Sequence, residues 1–105
     1  MALDVDKVDQ GGNCVITLVG EVDLYSSPQV RKVVIKAIPK TKDAVGVDLS
    51  GVTYMDSSGV AVLVEGLKAA QKKGKRFALL APSQSVMKVL ELTRLDTVFE
   101  IGDAL

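Results

Sequence analysis

Apolar and polar positions along the chain follow two rhythms. Leu3 and Val5 alternate with Asp4 and Asp6, a period of two that predicts a first, edge-like strand. The "GGN" of Gly11–Asn13 is a turn signal, and "CVITLVG" after it predicts a second strand, so the pair is expected to form an antiparallel hairpin. The rhythm then lengthens. In "SSPQVRKVVIKAIPK", Val30, Val33, Val34, Ala37 and Ile38 share one helical face. Ser27 stands where an N-cap belongs, Pro28 at the first helical position and Pro39 just past the end. "AVGVDLS" predicts a third strand. "SGVAVLVEGLKAAQKKG" predicts a second helix with Val60, Leu63, Val64, Leu67 and Ala70 on its apolar face and Gly74 as its stop. Lys72 and Lys73 fall in its last turn, where cations suit the helix dipole. "RFALLA" predicts a fourth strand. "SQSVMKVLELTRL" predicts a third helix, capped by Ser83, with Val86, Val89, Leu90 and Thr93 on one side. "TVFEI" leaves room for a last short strand.

The order is β-β-α-β-α-β-α with an optional final strand. Strands joined by helices imply parallel pairs with right-handed crossovers. The expected fold class is therefore α/β, a mixed sheet of four to five strands with helices packed against it. No repeat, low-complexity segment or linker interrupts residues 1–105, which read as one domain.

Composition narrows the functions. Hydrophobic residues make up 48% and charged residues 25%, enough for a core. Lysine plus arginine (13) balances aspartate plus glutamate (13), so no general pull toward nucleic acid or an anionic membrane is expected. Aromatics are 4% and Trp is absent, which argues against base-stacking platforms. Cys14 is the single cysteine, so no internal disulfide is available, in keeping with a reducing, cytoplasmic setting. "MALDVDKVDQ" does not read as a signal peptide, and no apolar run is long enough for membrane insertion.

The chain has no histidine. That removes every Ser-His and Cys-His nucleophile pair and every His-ligated metal site. No metal and no cofactor are expected, and the chain does not read as an enzyme. Nucleotide binding has little support, because "GGN" and "SSG" are not phosphate-loop patterns and no GK[ST] occurs.

One stretch stands apart: "TYMDSSGV", Thr53–Val60, where Asp56, Ser57, Ser58 and Gly59 lead into the second helix. Three readings are open. Any of Asp56, Ser57 or Ser58 would serve as a helix cap. A nucleophile elbow needs G-x-S-x-G, and "YMDSSG" lacks the first glycine. A phospho-acceptor at a helix N-terminus would be locally tolerated, since the phosphate meets free N–H groups and the positive end of the dipole. It would still add close to two negative charges to a surface set by packing.

"VDLSGVTYMDSSGVAVLVEGLKAAQKKGKRFALLAP" resembles the central signature of the STAS family, specifically the bacterial anti-sigma factor antagonists. "LVGEVDLYSSPQVR" is similar to the family's segment before the first helix, and "SQSVMKVLELTRLDTVFEI" to its tail. The resemblance implies that Ser57, directly after the aspartate of D-S-[ST]-G, is the phosphorylated serine. Ser58 then matches the neighbouring Ser/Thr, and Asp23 the acidic residue in the turn before the first helix.

As the resemblance implies, the unphosphorylated protein binds an anti-sigma factor with serine kinase activity and releases a sigma factor. Phosphorylation at Ser57 ends the complex and a PP2C-type phosphatase restores it. The implied contact surface comprises Asp23, Ser26, Ser27, Asp56, Ser57, Ser58 and Gly59, with the exposed face of the second helix. Gly59 is expected to leave space for a partner's close approach. Gly66 would do the same or pack on the sheet. Glu65 and Lys68 read as a solvated helical face, Tyr54 and Met55 as strand-end packing. A homodimer is left open. The alternative within the family is a subunit that stabilises an ABC-type lipid-transport complex without phosphorylation.

Overall fold

The computed structural model describes residues 3–105. Strands β1 (Leu3–Gln10) and β2 (Asn13–Val22) form the hairpin. Then come α1 (Ser27–Lys40), β3 (Ala44–Met55), α2 (Ser57–Lys72), β4 (Arg76–Leu80), α3 (Gln84–Leu92) and β5 (Glu100–Gly102). The five strands lie in the order β1-β2-β3-β4-β5. β1 runs antiparallel to β2, and every later neighbouring pair is parallel. The mixed α/β sheet and the final strand anticipated from the sequence are both present.

Alternation along the strands builds the core. Cys14, Ile16 and Leu18 of β2 stand beside Val45 and Val47 of β3, which in turn register with Phe77 and Leu79 of β4. All are buried. Against this face lie α1, through Val30, Val34, Ala37 and Ile38, and α2, through Val60, Leu63 and Ala70. Val86 and Leu90 of α3 join the same cluster. Arg31 of α1 and Glu65 of α2 form a two-pronged ion pair, Nε to Oε1 at 2.7 Å and Nη2 to Oε2 at 2.8 Å, so Glu65 is more than a solvated position.

Several boundaries differ from those read in the sequence; the last strand, for one, is Glu100–Gly102 and not the stretch "TVFEI". The N-cap of α1 is Ser26, and Ser27 is its first helical residue, 7% exposed. Pro39 lies inside the last turn of α1. The ammonium of Lys75 donates to the carbonyls of Ile38 and Pro39 at 2.7 and 3.3 Å, helping to cap the end of the helix. β3 does not stop at Ser50 but continues to Met55, because two extra residues in β3 are taken up as irregularities opposite Thr17–Val19 and Gly20–Glu21. Thr93 is the exposed C-cap of α3 and not part of its apolar face. Other punctuation holds: the Ser83 hydroxyl accepts from the N–H of Val86, and Gly74, at φ +68°, ends α2 in a left-handed turn.

Gly66 sits where α2 meets both α1 and β4. A Cβ built there would lie 2.8 Å from Phe77 Cζ and 2.9 Å from Val34 Cγ1. Gly66→Ala gains up to about 1 kcal/mol of helix propensity and incurs about 1–3 kcal/mol of overpacking against a buried ring. The second term wins. Chemical denaturation of Gly66→Ala is expected to show a net loss of roughly 1–2 kcal/mol, and a gain in stability would refute the close-packing account.

The Cys14 thiol is wholly buried, and burial, reinforced by Asp9, pushes its pKa from 9.0 up to about 11. The folded state therefore holds the thiol proton more tightly than the unfolded chain. The stabilising effect is complete below pH 9.0 and is lost as pH rises toward about 11. Unfolding free energy should fall by about 1.4 kcal/mol per pH unit more steeply across that window than in Cys14→Ala. Parallel slopes for the two proteins would contradict the shift.

Candidate functional site

The carboxyl ends of β2 and β3 lie side by side, with Val22 in register with Met55. Two turns leave from this edge. After Val22 the chain enters the Asp23–Ser26 turn and α1; after Met55 it passes Asp56 into α2. The Asp56 N–H donates to the Val22 carbonyl at 3.2 Å, so the turns are tied at their base.

The first turn closes on its own polar groups. Asp23 Oδ1 accepts from the N–H groups of Tyr25 and Ser26, both at 2.9 Å. Ser26 Oγ accepts from the Asp23 N–H at 2.9 Å and donates to the Glu21 carbonyl at 2.8 Å. These donors hold the Asp23 carboxyl below its usual pKa, the Ser26 N–H foremost. Asp23 is thus the keystone of the turn, and its charge is already engaged. The turn raises Leu24 and Tyr25 into solvent, 68% and 90% exposed. Tyr54, beside Glu21 in the β2–β3 register, is 48% exposed and does not pack the strand end as its sequence context suggested.

The second turn separates the two serines. Asp56 is the N-cap of α2, in extended conformation, and its Oδ1 accepts from the Ser58 N–H at 3.0 Å. The same oxygen also accepts from the Ser58 hydroxyl. Ser58 is half-buried and engaged. Ser57, the first residue of α2, is exposed, and its hydroxyl makes no hydrogen bond with the described residues. Of the three residues that the sequence left open as caps, Asp56 has the role.

Gly59 does not offer a partner an approach. It is buried, and a Cβ there would fall 2.8 Å from both Met55 Cγ and Val22 Cγ1. Its missing side chain admits those two residues and seats α2 on the strand ends. Ser27 is likewise turned inward. The accessible candidates are Asp23, Ser26, Asp56, Ser57 and Ser58, and Leu24, Tyr25 and Tyr54 join them. Leu24 and Tyr25 escape notice in the sequence because an exposed apolar side chain in a turn leaves no periodic trace, and Tyr54, in β3, reads there as strand-end packing.

No group of three or more potential ligands among the described residues is placed to hold a metal ion. Three open clefts, of about 340, 320 and 640 Å³, lie away from the serines, at the β1–β2 turn, behind β1–β2 and along α2. No helix among the described residues is long and apolar enough to cross a membrane. What the edge offers is an exposed hydroxyl at a helix start, carboxylates beside it, and an apolar rim.

Residues 5–102 match the family model described as "Mlab, STAS domain". The anti-sigma-B factor antagonist of Listeria monocytogenes is 30% identical over 98 residues, covering 93% of this chain and 81% of that protein. The anti-sigma factor antagonist SpoIIAA in its unphosphorylated form superposes with a TM-score of 0.79 at 28% identity, over 99% of this chain and 89% of that one. The Bacillus cell fate determinant SpoIIAA in the phosphorylated form does so with a TM-score of 0.74 at 27% identity, over 99% and 92%.

Asp56→Ala removes the cap of α2 and frees the Ser58 hydroxyl. A loss of about 0.5–2 kcal/mol is expected in thermal or chemical unfolding. An unchanged midpoint would mean that Asp56 does not hold the helix start.

Proposed function

The chain belongs to the STAS family, and from that premise we propose that it is an anti-sigma factor antagonist switched at Ser57. Unphosphorylated, it binds an anti-sigma factor that is also a serine kinase, and so frees a sigma factor in the cytoplasm. Phosphorylation of Ser57 by that kinase dissolves the complex, and a PP2C-type phosphatase reverses the mark. The protein is the kinase's substrate and not itself an enzyme.

One observation carries the choice of residue. Ser57 is exposed with an unengaged hydroxyl, while Ser58 gives its hydroxyl to Asp56. A kinase needs a hydroxyl it can surround and align, and Ser57 offers one without disturbing the cap. The relatives' names support the class of partner, and a phosphorylated form of one structural neighbour supports the modification.

The consequence follows from charge. A phosphate at Ser57 stands beside Asp56, in the neighbourhood of Asp23 and Glu21. Accommodated at a helix N-terminus, it leaves the fold intact. In an interface it must be desolvated against a surface shaped for a hydroxyl. Mismatched charge costs several kcal/mol in such settings, or about a hundredfold or more in affinity.

The test combines tandem mass spectrometry of kinase-treated protein with calorimetric titration against the anti-sigma factor. Ser57→Ala should bind and accept no phosphate. Ser58→Ala should still be phosphorylated. Ser57→Asp should bind about a hundredfold more weakly than the wild type with its melting temperature nearly unchanged. Phosphate on Ser58, or equal affinity for Ser57→Asp and wild type, would overturn the proposal. Absence of any phosphorylation would favour the transport-complex role instead.

A further inference from the structure

β1 is an edge strand, paired on one side only. Charged side chains usually blunt such an edge, and β1 carries Asp4, Asp6, Lys7 and Asp9. It also carries Val8, which is 52% exposed. Val8 is in register with Val15, on the sheet face opposite Cys14 and Ile16. With Val15 and Leu105 it lines an open groove of about 320 Å³.

We propose that β1 pairs with β1 of a second copy, antiparallel about a two-fold axis at Val8, joining two sheets into one. The charge pattern selects this register. In a two-fold antiparallel pair, residues opposite each other lie on the same face, so the axis passes through a residue. An axis at Asp4, Asp6, Lys7 or Asp9 sets that charge against its own copy. An axis at Val5 sets Asp4 against Asp6. Only an axis at Val8 opposes unlike charges: Lys7 faces Asp9 of the second copy, twice, and Asp6 faces Gln10. The two valines meet at the centre and extend the apolar strip formed with Val15 and Leu105. In the single chain Lys7 already reaches Asp9 of its own strand at 3.5 Å, with both side chains solvated, so an exchange of partners strands no charge.

The axis lies far from the serines. Val15 and Val22 are seven residues apart on β2, about 23 Å at 3.3 Å per residue. Each copy would keep its Ser57 edge open, so this inference stands or falls apart from the phosphorylation switch.

Sedimentation velocity over a concentration series tests it. The wild-type chain is expected to show a reversible monomer–dimer equilibrium. Lys7→Asp, which makes both facing charge pairs repulsive, should raise the dissociation constant about tenfold or more. The double variant Lys7→Asp, Asp9→Lys restores opposite charges and should restore the dimer. Val8→Asp should abolish it. All these positions are exposed, and circular dichroism should confirm that each variant is folded. A wild-type chain that is monomeric up to about 1 mM, a dimer indifferent to Lys7→Asp and Val8→Asp, or a double variant no better than Lys7→Asp, would each overturn the proposal.

Discussion

The absence of a Cβ at two positions of α2 sets how closely that helix lies on the sheet. Gly66 lets it settle against Phe77 and Val34, and Gly59 lets its first turn rest on Val22 and Met55. The geometry of the candidate site descends from this contact. The start of α2 is pressed onto the strand ends just where the N–H of Asp56, one residue past the Val22–Met55 register, meets the carbonyl of Val22. Two turns that belong to different crossovers then share one base and present one surface. A helix held a side chain's width further out would leave Ser57 on a separate projection from the Asp23 turn. Interior packing, which looks remote from function, thus decides which residues share one surface.

The same contact separates two serines that look equivalent in sequence. Asp56 caps α2 through the N–H of Ser58 and also draws in the Ser58 hydroxyl. A group attached to Ser58 would have to break that arrangement and compete with a cap worth about 1 kcal/mol. A group attached to Ser57 meets only solvent and the helix dipole. The asymmetry comes from one carboxylate, and it makes a reversible mark compatible with a fold whose total stability is only of order 5–15 kcal/mol.

Most of the fold was legible in the sequence, because the core faces are periodic. Val30, Val34, Ala37 and Ile38 of α1, and Val60, Leu63 and Ala70 of α2, were identified from spacing and are buried. The missed boundaries share a cause: local chemistry competed with packing. Ser50 and Gly51 look like a strand end, yet the sheet carries β3 on to Met55 by absorbing two extra residues. Ser27 precedes Pro28 and resembles a cap, but the Asp23 network uses Ser26 and turns Ser27 inward. Gly59 could be marked as special from the sequence, but not which side needed the space. Leu24 and Tyr25 were illegible for the opposite reason, since exposure of a single apolar residue breaks no pattern, and Tyr54, which reads as strand-end packing, is turned out to solvent.

Formal neutrality conceals how unevenly charge is placed. The serine edge carries the carboxylates of Glu21, Asp23 and Asp56, and none of them is in an ion pair with a described residue. The cleft at the other end of the sheet gathers Lys7, Lys40 and Lys42 around a single carboxylate, Asp9. A phosphate brings roughly 1.5–2 further negative charges to an edge that holds three. That is about half to two thirds again the local charge, beside an apolar rim of Leu24, Tyr25 and Tyr54 that a partner would have to cover. The fold is insulated from the change, because these carboxylates rest on backbone N–H groups or on solvent and not on buried counter-ions. Under the proposed switch, partner and fold would therefore respond differently to one modification: an interface here would have to desolvate the added charge, while the helix that carries it already has an end suited to receive it.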